Sequence, residues 1–221
     1  FTALVGNFAN SVINLSFGTI NNLIEAIGGE HYNFSDWNRA GKTYMKDIKN
    51  IIGDWGSNVD KSRTNMFLNV FNVLGGKEYL DNPFSENTRG AALMKTNSLR
   101  PISKGGEHMM QAKVMYATMH HIKVMNENGN YLDADGKVVK DKKKAASIDQ
   151  MIEFVPTDQG GVEMILNESV KATTFTKTGG REQIMLETKN LIKYKIRELH
   201  GNYDSDIQAA AQREFWGKLT F

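Results

Sequence analysis

The chain has no cysteine among its 221 residues. That removes disulfide staples, thiolate nucleophiles and thiolate-bound zinc, so stability has to come from packing or from neighbouring chains, and the composition fits synthesis in the cytosol. A strong excess of charge of one sign is also missing: 27 Lys and Arg stand against 25 Asp and Glu, for a formal net charge of +2. So close a balance lacks the basic excess of a typical nucleic-acid-binding domain, which leaves nucleic-acid contact without support from overall charge. Proline is scarce, with 3 residues against 20 glycines. The pattern argues for well-formed elements with flexible joints. Charge is absent from the opening too, where no Asp, Glu, Lys or Arg precedes Glu25 and the first residue is Phe1. We expect a segment cut from a longer polypeptide, with an apolar start that packs against a partner. Neither the positive n-region nor the cleavage site of a signal peptide is present.

A spanning helix needs about 20 predominantly apolar residues, and the opening fails on polarity. Asn7, Asn14 and Asn21 recur at heptad spacing with Asn10 beside them, while Phe8, Val12 and Leu15, with Ala9, Ile13, Phe17, Ile20 and Ile24, fill the other faces. This spacing predicts an amphipathic helix over about 3–26 whose polar stripe is amide instead of charge. Such a stripe suits burial between helices, where Asn can pair, better than bulk water; a membrane-interacting helix is the alternative.

Gly-Gly pairs at 28–29, 75–76, 105–106, 160–161 and 179–180 are each followed within two positions by Glu. Glycine accepts the conformation that ends a helix, and a carboxylate in the next first turn favours the positive end of the following one. Between these joints we expect helices over about 36–53 and 58–74, a loop through Asn82-Pro83 and a short helix at 85–95, with Arg100-Pro101 interrupting any continuation. The stretch 105–126 is rich in methionine. His108, Ala112, Met115, Met119 and Ile122 make one row of it, and Met110, Val114, Ala117, His121 and Val124 lie beside. Flexible thioethers there serve either an ordinary core, the commoner use, or an adaptable docking surface.

Asn128-Gly129 and Asp135-Gly136 are strong turn signals around Tyr131-Leu132 and Val138-Val139, and imply hairpins. A lysine run, Lys140, Lys142, Lys143 and Lys144, follows, and then two candidate strands at 151–155 and 162–166. Helical period resumes at Arg181 and continues to Gly201, with a last helix from about Ser205 that leaves Phe215 and Trp216 as apolar surface. The expected fold is therefore mainly α, a helical bundle-like segment with a small β-hairpin or β-rich insertion. A helical region 1–104 is followed by 105–221, a helical pair enclosing a β-rich excursion at about 123–176.

Site chemistry is thin. An EF-hand register on Asp133-Ala134-Asp135-Gly136 would put Tyr131 first and Lys142 last, where carboxylates are needed. His120-His121 with His108 lacks a carboxylate at ligand spacing, and Glu30-His31, Glu107-His108 and His200 lack a partnered nucleophile. No phosphate-cradling glycine motif is present. We assign no catalytic, cofactor-binding or metal residue. The candidate residues are those of an interaction surface: Phe8, Val12, Leu15, Met110, Met115, Met119, Phe215 and Trp216. The lysine run reads as a solvated hairpin flank without interleaved aromatics.

Two stretches, Lys104-Gly105-Gly106-Glu107-His108-Met109-Met110-Gln111 and Ile196-Arg197-Glu198-Leu199-His200-Gly201-Asn202-Tyr203-Asp204, carry a resemblance. With the helix, β excursion and helix between them and the Phe215-Trp216-Gly217 ending, the chain from about Lys104 to Phe221 resembles large virion proteins of crAss-like and related tailed bacteriophages. The resemblance implies a non-enzymatic fragment of a very large cargo or ejection protein, held in the capsid or tail lumen and released with the genome. It implies portal and tail proteins, and other copies or segments of the same long chain, as partners. Virion RNA polymerases occur among such proteins, but no acidic metal motif of that kind is visible here. A permanent portal or tail connector and a membrane-active ejection segment are the alternatives.

Overall fold

The computed structural model describes residues 19–20, 22–54, 61–71, 100–156 and 162–200. Over these the protein is mainly α with a small antiparallel β insertion, as the patterning predicts.

Helical residues 22–28 (α1) end at the first Gly-Gly pair, where the Gly29 N–H closes on the Glu25 carbonyl at 2.8 Å. Helix α2 (Phe34–Asp54) starts behind a reciprocal cap: Asn33 Oδ1 accepts the Asp36 N–H at 3.0 Å, and Asp36 Oδ2 accepts the Asn33 N–H at 3.3 Å. Trp37, Ala40, Tyr44 and Ile51 recur at helical spacing and are buried. Helix α3 (Arg63–Val70) starts later than the expected 58 because Ser62 caps it, accepting the Asn65 N–H at 3.1 Å, and 58–60 and 72–74 of the expected helix lie outside the described residues.

Helix α4 (Arg100–His121) begins at the Arg100-Pro101 pair, which the sequence marks as an interruption. Pro101 lies in the first turn, where a backbone N–H has no intrahelical partner to lose. The Gly105-Gly106 pair falls inside this helix and makes no joint. The expected helical end at 126 is also corrected, because the chain turns extended after His121. The Ile122 carbonyl accepts the Ile148 N–H at 3.0 Å, and the Val124 N–H reaches the Ala146 carbonyl at 3.1 Å. Strand β1 (Val124–Met125) pairs on one side with β2 (Tyr131–Leu132), which pairs with β3 (Val138–Val139). On its other side it pairs with β6 (Ala172–Thr173), a strand that periodicity did not announce, giving the order β3-β2-β1-β6. Both hairpin turns put glycine at positive φ, 74° at Gly129 and 79° at Gly136, which the Asn-Gly and Asp-Gly signals require.

Strands β4 (Ile152–Pro156) and β5 (Val162–Leu166) form a separate antiparallel pair with Phe154 opposite Met164. Arg63 docks this pair on α3: its Nη2 donates to the Asp149 and Ile152 carbonyls at 2.6 and 2.8 Å. Its guanidinium also lies 5.1 Å from the Phe67 ring centre and 5.5 Å from that of Phe154. Helix α5 (Gly180–His200) packs on α4 and contributes Ile184, Ile192 and Ile196 to the core.

One hydrophobic core joins the five helices and strands β1, β2, β4 and β5, from Ala26 on α1 to Leu199 on α5. It crosses position 104, and that position lies inside α4. The regions 1–104 and 105–221 therefore share a core. Helix α4 is central: Met110, Ala112, Val114, Met115, Tyr116, Ala117 and Met119 are all buried, on every side of the helix.

Candidate functional site

Three polar constellations stand out among the described residues, and each is built from groups far apart in sequence. The first surrounds His108 at the meeting of α2, α3 and α4. Asp54 Oδ2 accepts from Asn65 Nδ2 at 3.0 Å, which fixes the Asn65 amide and turns its Oδ1 toward His108 Nε2 at 3.0 Å. An acceptor there makes Nε2 the protonated nitrogen. His108 Nδ1 is then free to accept from the Tyr44 hydroxyl at 3.2 Å. Burial pushes the His108 pKa down to about 4, against the pull of nearby Asp47, and burial with that same carboxylate pushes Tyr44 up to about 12. The imidazole is therefore neutral and the phenol protonated at ordinary pH.

Asp47 and Asp54, two turns apart on α2, clasp the start of α3. Asp47 Oδ2 accepts from Ser62 Oγ (2.7 Å), Thr64 N (2.8 Å) and Thr64 Oγ1 (2.7 Å), and Asp54 accepts from the backbone N–H groups of Lys61 (2.8 Å) and Ser62 (2.7 Å). Burial opposes charge on Asp47, yet the Thr64 and Ser62 donors outweigh it and hold the carboxyl below its usual range. The Thr64 N–H in the first turn of α3 thereby gains a carboxylate acceptor, and the two N–H groups just before the helix are held by Asp54.

The second constellation caps the other end of α4. His121 Nδ1 lies 2.8 Å from Asp36 Oδ2, and His120 Nε2 lies 3.4 Å from Asp149 Oδ2, with His120 1% exposed and stacked on Tyr116. Burial disfavours the Asp149 charge, but His120, Ser147 and Arg39 hold its carboxyl below the usual range. The third lies between α1 and α5. Lys195, 2% exposed, pairs with Glu198 at 2.7 Å and Glu25 at 3.6 Å, and Glu25 also accepts from the His31 N–H. Burial, then the Glu25 and Glu198 carboxylates, push the Tyr32 phenol up.

These arrangements clamp helices. In the first, both His108 nitrogens are occupied and the Thr64 hydroxyl is held between Asp47 and Tyr116. Among the described residues no three His, Asp or Glu side chains converge on a common point where a metal ion could sit.

The sequence-based interaction surface fares differently by residue. Met110, Met115 and Met119 are 3%, 0% and 0% exposed. They are corrected from docking surface to core, because α4 packs against α2, α3 and α5 and its methionines belong to the buried cluster. Phe8, Val12, Leu15, Phe215 and Trp216 lie outside the described residues. Exposed apolar surface occurs instead on α1 and just before it. Ile20, Leu23, Ile24 and Ile27 face outward at i, i+3, i+4, i+7, while Asn22 and Ala26 face in. Asn22 and Ala26 are thus on the packed side of this helix, which the Glu25–Lys195 pair ties to α5, while the stripe residues Asn7, Asn10, Asn14 and Asn21 lie outside the described residues. Ile20 and Ile24 were legible as a row, but their outward direction was not.

Comparisons of the chain with protein-family models, with curated proteins and with solved structures find no match.

Proposed function

We propose that the chain is a non-enzymatic bacteriophage virion protein, part of a large cargo or ejection protein held in the capsid or tail lumen and released with the genome. The observation that supports the reading is the packing of α4 against α5. These helices carry most of the two stretches that resemble crAss-like virion proteins, and the β excursion lies between them in the chain, so the described portions of the two stretches belong to one packed unit. The buried His108, His120 and Lys195 of that unit are engaged in internal clamps, which suits a scaffold. The outward apolar row Ile20, Leu23, Ile24 and Ile27 is surface on which portal or tail proteins, or further segments of the same long chain, would pack.

The test is peptide mass spectrometry of purified particles before and after genome release. Peptides present in full particles and depleted from emptied ones support the cargo reading. Retention in emptied particles supports a permanent portal or tail connector instead, and absence from both removes the virion reading. The apolar row also motivates a membrane-active ejection segment. That reading requires vesicle binding that Ile24→Lys abolishes, although no described helix is long and apolar enough to cross a membrane.

A further inference from the structure

The lysine run after β3 is a fixed turn whose backbone is bonded at both ends. Lys142–Lys144 form one 3-10 turn capped by Asp141, whose Oδ1 accepts the Lys143 N–H at 2.9 Å. Within it the Lys144 N–H reaches the Asp141 carbonyl at 3.0 Å, and directly after it the Ala146 N–H reaches the Leu132 carbonyl at 2.7 Å. Ser147 then bridges to Lys123. Lys123 is held in turn by the Thr174 hydroxyl on its N–H at 3.0 Å and by its own Nζ on the His120 carbonyl at 2.7 Å. Neighbouring cations come from other elements. Asp36, one turn before Arg39 on α2, lies 2.8 Å from His121 Nδ1 two residues before Lys123, which sets Arg39 at this same end of α4. Burial lowers the Lys123 pKa, and the charges of Arg39 and Lys142 lower it further against Asp36 and Asp149.

The acidic groups nearby are already committed. Asp36 is paired with His121 and Asp149 with His120, both turned inward, and Asp141 caps the turn. Among the described residues, Arg39, Lys140, Lys142, Lys143 and Lys144 make no ion pair within 4.0 Å. The four lysines are exposed. The chain is near neutral as a whole, so this corner is a local concentration of charge that net charge conceals.

We propose that the corner made by Arg39, Lys123, Lys140, Lys142, Lys143 and Lys144 binds the phosphate backbone of duplex DNA without reading sequence. Lysine heads are compact point charges suited to phosphate and poorly suited to bidentate reading of base edges. No aromatic residue lies between Lys137 and Ser147 to stack on an unpaired base. Val138 is the one exposed large apolar side chain between 123 and 154, too little to enter a lipid surface. A backbone-only binder is drawn to the polyanion of highest linear charge density, and duplex DNA carries one charge per about 1.7 Å. Because the turn is fixed by hydrogen bonds, little main-chain freedom is lost on binding. The proposal does not rest on the virion reading, and particle mass spectrometry and DNA binding fail independently.

The experiment is fluorescence anisotropy of a labelled duplex of about 30 base pairs with the 221-residue chain, titrated at about 50 and about 200 mM salt. The parent binds and weakens with salt. Lys142→Gln/Lys143→Gln/Lys144→Gln, checked for an unchanged thermal unfolding midpoint, binds more weakly at low salt. Its log–log salt slope is shallower by about 2.7, at about 0.9 for each phosphate that is no longer neutralised. Across that salt range the parent therefore loses about 40-fold more affinity than the variant. Lys46→Gln/Lys49→Gln on the exposed side of α2 binds like the parent. A triple variant with parental affinity and slope overturns the proposal. So does a parent that ignores duplex DNA, whether or not it binds vesicles containing anionic phosphatidylserine.

Discussion

Protonation of His108 is the most direct test of the buried clamp. Its imidazole is 6% exposed and has a pKa of about 4, against 6.5 when unperturbed. Above pH 6.5 the group is neutral both folded and unfolded and has no effect on the pH dependence. As pH falls below 6.5 the unfolded chain takes up a proton that the folded chain refuses, so stability is lost until the folded group protonates near pH 4. A gap of about 2.5 units, at about 1.4 kcal/mol each, gives a loss of about 3 kcal/mol across that window. Other groups titrate there, so the contribution is isolated by difference. His108→Gln keeps a side-chain donor for Asn65 Oδ1 and removes the titration. It is less stable than the parent near pH 7 by about 1–3 kcal/mol, because the Tyr44 hydroxyl is left without its buried acceptor. Urea unfolding, followed by helical circular dichroism at steps from pH 7 to pH 4.5, should show the parent losing stability faster, so that the two curves converge. Parallel curves over this range would refute the assignment of a neutral, desolvated His108.

Asp47→Ala removes the acceptor for Ser62, Thr64 and Asn50 and should cost about 3 kcal/mol in urea unfolding, since charged hydrogen bonds contribute about 1.5–3 kcal/mol each and the buried donors lose their partner. The depressed Asp47 carboxyl predicts a second acid window: its contribution is present above the unfolded value of 3.8 and is lost as pH falls through the lower folded value. Met115→Ala, at a side chain 0% exposed, should cost about 2–5 kcal/mol, whereas Met45→Ala, at 58% exposure, should stay within about 0.5 kcal/mol. Equal effects would contradict the placement of α4 at the centre. Arg63→Lys loses the planar guanidinium that lies against both the Phe67 and Phe154 rings while its Nη2 donates to two carbonyls. Hydrogen exchange should rise in β4 and β5 while α2 and α5 keep their protection, and unchanged exchange would refute the docking role.

Elements with strong local signals were legible in the sequence. The two Gly-containing turns specify their hairpins because positive φ is cheap there, and the spans 36–53 and Arg181 to Gly201 read as helices, where the structure buries Trp37, Ala40, Tyr44, Ile184, Thr188 and Ile192 at spacings of three to four residues. Signals that a non-local partner overrides were misread. Val124 continues the apolar row of α4, yet it is a strand residue because Ala146 and Thr173 offer it backbone partners. Strand β6 contains only Ala172 and Thr173 and exists because β1 has a free edge. The clamp around His108 was invisible, since its partners Tyr44 and Asn65 lie 64 and 43 residues away.

By itself the sequence determined the class of the molecule: mainly α, with a small β insertion after the Met-rich helix and no thiol chemistry. Local backbone preference and periodicity act within a few residues, so they suffice for that much. Tertiary structure alone decided which faces turn inward. It buried the methionines that could have served as a docking surface, exposed Ile20, Leu23, Ile24 and Ile27, and drew Asn22, Glu25 and Lys195 inside. It also brought the start of α2, with Asp36 and Arg39, to the end of α4 beside His121 and close to Lys123. Such choices depend on which partners meet across a core, and pairing between distant residues is carried by geometry that no local pattern encodes.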